Sequence, residues 1–304
     1  MFVLVTGGAG FIGSHSVEAL LASGARVRVL DNLSSGHREY LPDHPALEFV
    51  EGDIRDAATV TQCMQGITHV LHLAAQVSVP VSVQQPVFSN AVNIAGFLNV
   101  LDAARQAGVQ RMVYASSAAV YGVPVELPLS EASPVSALSP YGLEKLVNDQ
   151  YAALFGGLYD FSAMGLRYFN VYGPRQDPTS PYSGVISKFA SWAQQEQGFT
   201  VFGDGLQTRD FIFVKDVARA NVAALNSQAR GVVNVATGTS VTLLQMIETF
   251  AAVVERPIPV THAPARVGDV PFSAVTPNRM RDVLAIQETV ALQDGLGQLL
   301  DSLR

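Results

Sequence analysis

Tyr141 and Lys145 stand four residues apart in the segment Ser139-Pro140-Tyr141-Gly142-Leu143-Glu144-Lys145. On a helix that spacing puts both side chains on one face. Ser139 suits an N-cap and Pro140 a first helical turn, so the helix is predicted to begin just before Tyr141. An ammonium beside a phenol favours phenolate, and the pair is expected to act as a base near neutral pH. A tyrosine–lysine pair on a helix surface is common, and alone it says little. Upstream, Ser116-Ser117 closes an apolar run, Arg111–Ser116, that reads as a strand. A serine there can hydrogen-bond a reacting oxygen and pass on its proton. The expected catalytic set is therefore Ser117, Tyr141 and Lys145.

A second constellation opens the chain. Thr6-Gly7-Gly8-Ala9-Gly10-Phe11-Ile12-Gly13 follows a predicted strand and starts a predicted helix. Glycines at 7, 10 and 13 permit a tight turn and close backbone approach to a pyrophosphate, which the helix N-terminus meets with free N–H groups. The next strand ends at Asp31-Asn32, eighteen residues after Gly13. A carboxylate there accepts from ribose hydroxyls and repels an added phosphate, so NAD is favoured over NADP. Asp53-Ile54 follows the third strand, where an acid can meet an adenine amino group. Leu73-Ala74-Ala75 ends the fourth, with small side chains against which a cofactor can lie. Asn93 falls within a predicted helix and reads equally as a polar surface residue.

These residues require a scaffold. Candidate strands are Phe2–Thr6, Arg26–Leu30, Leu47–Glu51, His69–Leu73, Arg111–Ser116 and Phe161–Tyr168, with helices starting near Ile12, Ala57, Val87 and Tyr141. Alternation of apolar strands with helices predicts an α/β fold: a Rossmann-type, doubly wound parallel sheet. Beyond residue 170 glycine and proline become denser and the apolar runs shorten to Thr200–Phe202, Asp210–Val214, Val232–Val235 and Ile258–Val260. The expected division is a dinucleotide-binding domain over 1–170, with a return segment at 210–235, and a smaller C-terminal α/β lobe within 171–304 that binds substrate.

Composition narrows the classes. The 304 residues are 48% hydrophobic and 15% charged, which suits a well-cored globule rather than a disordered chain. Net charge is −7, which argues against a nucleic-acid or anionic-membrane surface. Any bound phosphate needs local basic groups. One cysteine, Cys63, excludes an internal disulfide and fits a cytoplasmic location. The opening has no basic region before a long apolar core, and no membrane span is expected. The six histidines form no zinc-ligand pair with supporting carboxylates, so no metal is expected.

Together these segments resemble the extended short-chain dehydrogenase/reductase family and, within it, the UDP-hexose 4-epimerases. Matching stretches run through Val5–Gly13, Asp31-Asn32, Gly52–Asp56, His72–Val79, Tyr114–Gly122, Tyr141–Lys145, Leu166–Pro174, Phe202–Val217 and Arg266–Ser273. The resemblance implies that Tyr141 takes a proton from the hydroxyl on carbon 4 while NAD oxidises that carbon. The resulting 4-keto sugar turns over and is reduced from its other face. It also implies a UDP-sugar partner and a homodimer. Ser116, Tyr168 and the Tyr141–Lys145 pair would join the glycine turn at the cofactor. Ser78, Asn170, Thr200, Phe202, Arg209, Arg266 and Asp269 would hold the nucleotide sugar, with the two arginines as a diphosphate clamp. Ser273 falls where a bulky residue restricts the pocket to plain hexoses, and its small size is expected to admit a 2-N-acetyl group.

Three rival readings can be weighed. A 4,6-dehydratase carries an acid pair directly after the strand-end hydroxyl residue; here Ala118-Ala119 stand there, and methyl groups move no protons. A UDP-glucuronate epimerase or decarboxylase needs a grip on a sugar carboxylate that no segment clearly marks. A non-catalytic NAD-binding regulator has no need of a proton-transfer set.

Overall fold

In the computed structural model, residues 1–177, 184–265 and 271–303 are described. The strands are β1 (Phe2–Thr6), β2 (Arg26–Asp31), β3 (Leu47–Glu51), β4 (His69–His72), β5 (Arg111–Ser117), β6 (Ala163–Tyr168), β7 (Asn170–Tyr172), β8 (Phe199–Phe202), β9 (Thr208–Phe213), β10 (Gly231–Val235), β11 (Ser240–Thr242) and β12 (Val260–Ala263). Seven of them form one sheet in the order β10-β6-β5-β4-β1-β2-β3, and every pairing is parallel. The order reverses between β1 and β4. Such a switch point leaves a crevice at the carboxyl ends of the strands.

Each face of this sheet buries its own apolar layer. Val3, Val5, Val27, Val29 and Leu71 pack with helix Phe11–Ala22 and helix Val214–Asn226 on one side. Leu4, Leu30, Val70 and Met112 pack with Phe97, Val100 and Leu101 on the other. Alternate residues of β1 thus point to opposite cores, which is why its sequence is apolar throughout.

The chain leaves this body and returns to it. Helix Val214–Asn226 lies on helix Phe11–Ala22, where Asn221 Nδ2 donates to Ser16 Oγ over 2.9 Å, and β10 then adds to the sheet beside β6. Met280, Leu284 and Ile286 join the same core. Two small sheets, β11-β9-β7 and β12-β8, build the second lobe. Its centre is aromatic: Phe189 stacks on Phe199 at 4.2 Å, and Phe250 meets Phe199 edge-on at 5.6 Å. The three-residue strands β7 and β11 were too short for the sequence to signal.

Among the described residues one helical run, Pro86–Gln106, is long and apolar enough to cross a membrane by length and composition. In the fold its Phe97, Val100, Leu101 and Ala104 are fully buried against the sheet. Its central turn, Ala91–Gly96, widens to π-helical geometry.

Candidate active site

The glycine turn sits at the end of β1. Gly7 has φ +71°, and a Cβ there would lie 2.6 Å from the backbone nitrogen of Ala74. Only glycine lets this turn and the Leu73-Ala74-Ala75 segment come so close. Gly10 N-caps helix Phe11–Ala22 without using a side chain, and Phe11 and Ile12 form its half-buried first turn. Asp31, at the end of β2, accepts from Ala9 N and Leu33 N, both at 2.9 Å. It therefore braces the turn. With two of roughly four lone-pair positions used, it keeps capacity for ribose hydroxyls.

Asp53 is less available than its position in the sequence implies. Its two carboxylate oxygens accept from Arg55 N, Nε and Nη2 and from Asn32 Nδ2, at 2.7–2.9 Å. These bonds, the Arg55 guanidinium above all, hold its carboxyl down at about 2. Asp53 meets an adenine amino group only by giving up one of these donors. Ile54 is buried and packs against Gly96.

The helix that carries Tyr141 and Lys145 spans Pro140–Tyr159. Ser139 Oγ accepts from Gly142 N at 3.1 Å, and Asp160, at φ 53°, ends the helix in left-handed conformation. A Cβ at Gly142 would lie 2.7 Å from Ala119 O, so its absence lets the helix approach the turn that carries Ser117. Ser117 caps that turn by accepting from Ala119 N at 3.1 Å. It also hydrogen-bonds the Tyr141 phenol, which favours phenolate. Serine, tyrosine and lysine meet at the carboxyl end of β5.

Lys145 is buried, and its ammonium is anchored on the backbone. Its ammonium donates to Ala115 O at 2.9 Å and lies 5.8 Å from the Tyr141 ring centre. Burial lowers Lys145 to about 8, against the opposing pull of Asp149 and Glu144. The Tyr141 phenol is raised rather than depressed. Burial dominates, Ser117 acts the other way, and the Glu144 carboxylate adds to the rise. Desolvation of the anion outweighs the Ser117 hydrogen bond here, and the ammonium is held by a backbone carbonyl rather than by the phenol itself.

Beneath Tyr141 and Lys145 lies a buried polar network that sequence reading missed. Asp149 follows Lys145 by one more helical turn. It accepts from Arg167 Nε at 3.1 Å and from the Tyr114 hydroxyl at 3.1 Å. Arg167 also donates to the Tyr121 hydroxyl at 2.9 Å, which donates to Asn234. The spacing Tyr141, Lys145, Asp149 was a legible signal: each step is four residues. Tyr168 sits close to Tyr141, but its hydroxyl donates to Asn221 at 2.6 Å and serves the return helix. Ser116 is buried beside Asp149. Asn93 is buried too, and both its amide hydrogens go to protein: to Gln76 O and to Glu144.

The predicted substrate residues divide. Ser78 caps helix Val79–Gln84 through Val81 N. Asn170, exposed at the start of β7, donates to Asp210 O at 2.8 Å. Arg209, on β9, donates to Thr208 O at 2.8 Å. These two share the small sheet, while Thr200 and Phe202 lie on β8 of the other. Ser273 is half-buried, and its backbone is fixed by Thr208 and Ser240. Arg266 and Asp269 lie outside the described residues. No group of three or more His, Cys, Asp or Glu side chains among the described residues could hold a metal ion.

The sequence model of the NAD dependent epimerase/dehydratase family matches residues 3–236. This chain belongs to that family. A UDP-glucose 4-epimerase of Mycolicibacterium smegmatis is 39% identical over 310 residues, covering 100% of this chain and 99% of that one. The UDP-N-acetylglucosamine 4-epimerase from Methanobrevibacter ruminantium, solved with UDP-N-acetylmuramic acid, superposes with a TM-score of 0.95. It is 37% identical, over 99% of this chain and 97% of its own. The UDP-glucose 4-epimerase of Thermus thermophilus, solved with NAD, gives 0.90 at 40% identity, over 99% and 98%. As a member of this family the chain is an NAD enzyme, and the Gly7 cradle, the free turn of helix Phe11–Ala22 and the residual acceptors of Asp31 fit that cofactor.

Proposed function

We propose that this chain is an NAD-dependent nucleotide-sugar 4-epimerase, and that it acts on UDP-hexoses including those carrying a 2-N-acetyl group. The observation that carries the reaction is the convergence of Ser117, Tyr141 and Lys145 at the carboxyl end of β5, in the same sheet as β1, which leads into the glycine cradle, with β4 between them. NAD, when bound, supplies the reversible oxidation of a carbinol carbon and a positive charge near it. Tyr141 accepts the proton of the sugar hydroxyl and returns it after the ketone has turned over. Ser117 hydrogen-bonds the same oxygen and smooths that transfer. Lys145 holds positive charge behind the phenol. Ala118 and Ala119 bring no acid to eliminate water, which supports epimerisation over dehydration.

The wider substrate range is our reading of Ser273. Its backbone is tied to Thr208 and Ser240, so a larger side chain there has little freedom to move away. Incubating the protein with UDP-N-acetylglucosamine and UDP-glucose, and reading product configuration by NMR, tests both parts. Comparable turnover of the two is expected. Strong preference for the plain sugar defeats the substrate reading, and no inversion at carbon 4 defeats the reaction. Ser273→Tyr is expected to cost at least about tenfold in kcat/KM for the N-acetylated sugar while sparing UDP-glucose, a steric effect of 1–3 kcal/mol. Apolar side chains left exposed on the helices, Val83, Val87, Phe88, Leu154 and Leu158, support a homodimer.

A further inference from the structure

Glu144 stands between Tyr141 and Lys145, yet it is closed off from solvent. It is buried in the helix, and a single carboxylate oxygen accepts from Ser89 Oγ and from Asn93 Nδ2, each at 2.7 Å. Both donors are neutral. A carboxylate so placed is costly to desolvate, and charge-assisted hydrogen bonds are what make it tenable. It also opposes ionisation of Tyr141, the residue expected to lose its proton. Its charge favours the protonated forms of both Tyr141 and Lys145, which does not account for its two buried hydrogen bonds.

What those bonds hold lies on the far side of Asn93. Asn93 Oδ1 accepts from Gln76 N at 2.9 Å, and Asn93 Nδ2 donates to Gln76 O at 2.8 Å. One side chain thus grips both backbone polar groups of residue 76. With its second amide hydrogen on Glu144, the orientation of this amide is fixed: a flipped amide would aim oxygen at carboxylate and NH2 at an N–H donor. Gln76 in turn clasps Ser78, donating from Nε2 to Ser78 O at 3.0 Å and accepting from Ser78 N. Ser78 caps helix Val79–Gln84, and Ser82 of that helix accepts from Tyr141 N at 3.1 Å. The links form a closed circuit: Tyr141 helix, Glu144, Asn93, Gln76, Ser78, Ser82 and back to Tyr141. It encloses the segment just after Ala74, whose backbone meets the glycine turn.

We propose that Glu144 is a positioning residue for the cofactor. By locking the Asn93 amide it fixes the peptide of Gln76, and so the height of the 73–78 strand-end segment relative to Tyr141. The proposal rests on the NAD site described above and not on the identity of the sugar.

The test compares Glu144→Gln, which keeps an acceptor, with Glu144→Met, which keeps length and loses it. Asn93→Ala and the double variant Glu144→Met/Asn93→Ala complete a cycle. NAD dissociation constants for the stripped protein, kcat and KM for UDP-glucose, and Tm are measured on the full chain. Glu144→Met and Asn93→Ala should each weaken NAD binding by about tenfold, the scale of one lost buried hydrogen bond. Their kcat should fall and KM stay within about threefold. The double variant should be no worse than the worse single one, and Glu144→Gln should stay within about threefold of the parent. Unchanged NAD affinity with a lowered Tm in Glu144→Met would show a merely structural carboxylate and overturn the proposal. So would multiplied losses in the double variant. If Glu144→Met does not fold, Asn93→Ala with unaltered NAD affinity overturns it alone. NAD binding is read without sugar, so a wrong substrate reading leaves this outcome intact.

Discussion

At the scale of single residues, burial governs Tyr141, Lys145 and His72 more than pairing does. His72, at the end of β4, is buried, with Nδ1 2.8 Å from Thr6 Oγ1. Burial, aided by the Lys145 charge, pushes it down to about 3. In the unfolded chain it titrates near its ordinary 6.5, so between those values the unfolded state binds the extra proton. Stability from this group is therefore full above about 6.5 and drains as pH falls towards 3. Denaturant unfolding at pH 6.5 and pH 5 should show an acid loss smaller by about 2 kcal/mol in His72→Gln than in the parent. An equal loss in both would assign the acid sensitivity elsewhere. Asp149→Asn is a second case at this scale. Removing that carboxylate removes the larger of the two pulls that keep Lys145 protonated, so Lys145 should titrate still lower than about 8. An alkaline limb of kcat governed by Lys145 should move to lower pH. A limb that stays put would exclude Asp149 from tuning the lysine.

At the scale of elements, much of the site was readable before any fold was known, because short-range rules govern it. Glycines 7, 10 and 13 with a strand before and a helix after define the turn. Ser139 and Pro140 define where the helix of Tyr141 and Lys145 starts, and the structure begins it at Pro140. Strands β1, β4, β5 and β6 were visible as largely apolar runs because both their faces are covered, whereas β2 and the edge strand β3 carry Arg or Glu side chains on a less covered surface. What was not legible depends on contacts distant in sequence. Glu144 drew no reading from the sequence, because its partners Ser89 and Asn93 lie more than 50 residues earlier. Asp53 looked free until Arg55 folded back over it. The rise of the Tyr141 phenol depends on burial, which no local spacing encodes. The turn itself makes a sharp prediction. In Gly7→Ala the added methyl meets Ala74 backbone at 2.6 Å in a left-handed conformation. NAD titration of the stripped variant should show at least about tenfold weaker binding with the secondary structure retained by circular dichroism. Undiminished affinity would mean that the turn and Ala74 need not touch for the cofactor to bind.

At the scale of the whole molecule, the two lobes are interleaved in sequence. The chain builds six strands of the large sheet, passes through β7, β8 and β9, and returns as helix Val214–Asn226 and β10. Arg209, a candidate diphosphate ligand, therefore lies only a few residues before a helix that packs on the glycine-turn helix. The body of the large sheet and the lobe of the small sheets share one backbone at that point. This arrangement suits a reaction in which the sugar must turn over without escaping. The exposed apolar side chains on the outer helices lead to a prediction at this scale. Light scattering after gel filtration should give twice the 32.4 kDa chain mass, and a monomer at micromolar concentration would refute the dimer.

As proposed, the Tyr141 phenol exchanges a proton with the sugar, and Tyr141→Phe with NAD content measured beside turnover tests this most directly. Loss of the hydroxyl should lower UDP-sugar interconversion by roughly a thousandfold while bound NAD stays at the parental level. Interconversion at the parental rate, with NAD still in place, would contradict it.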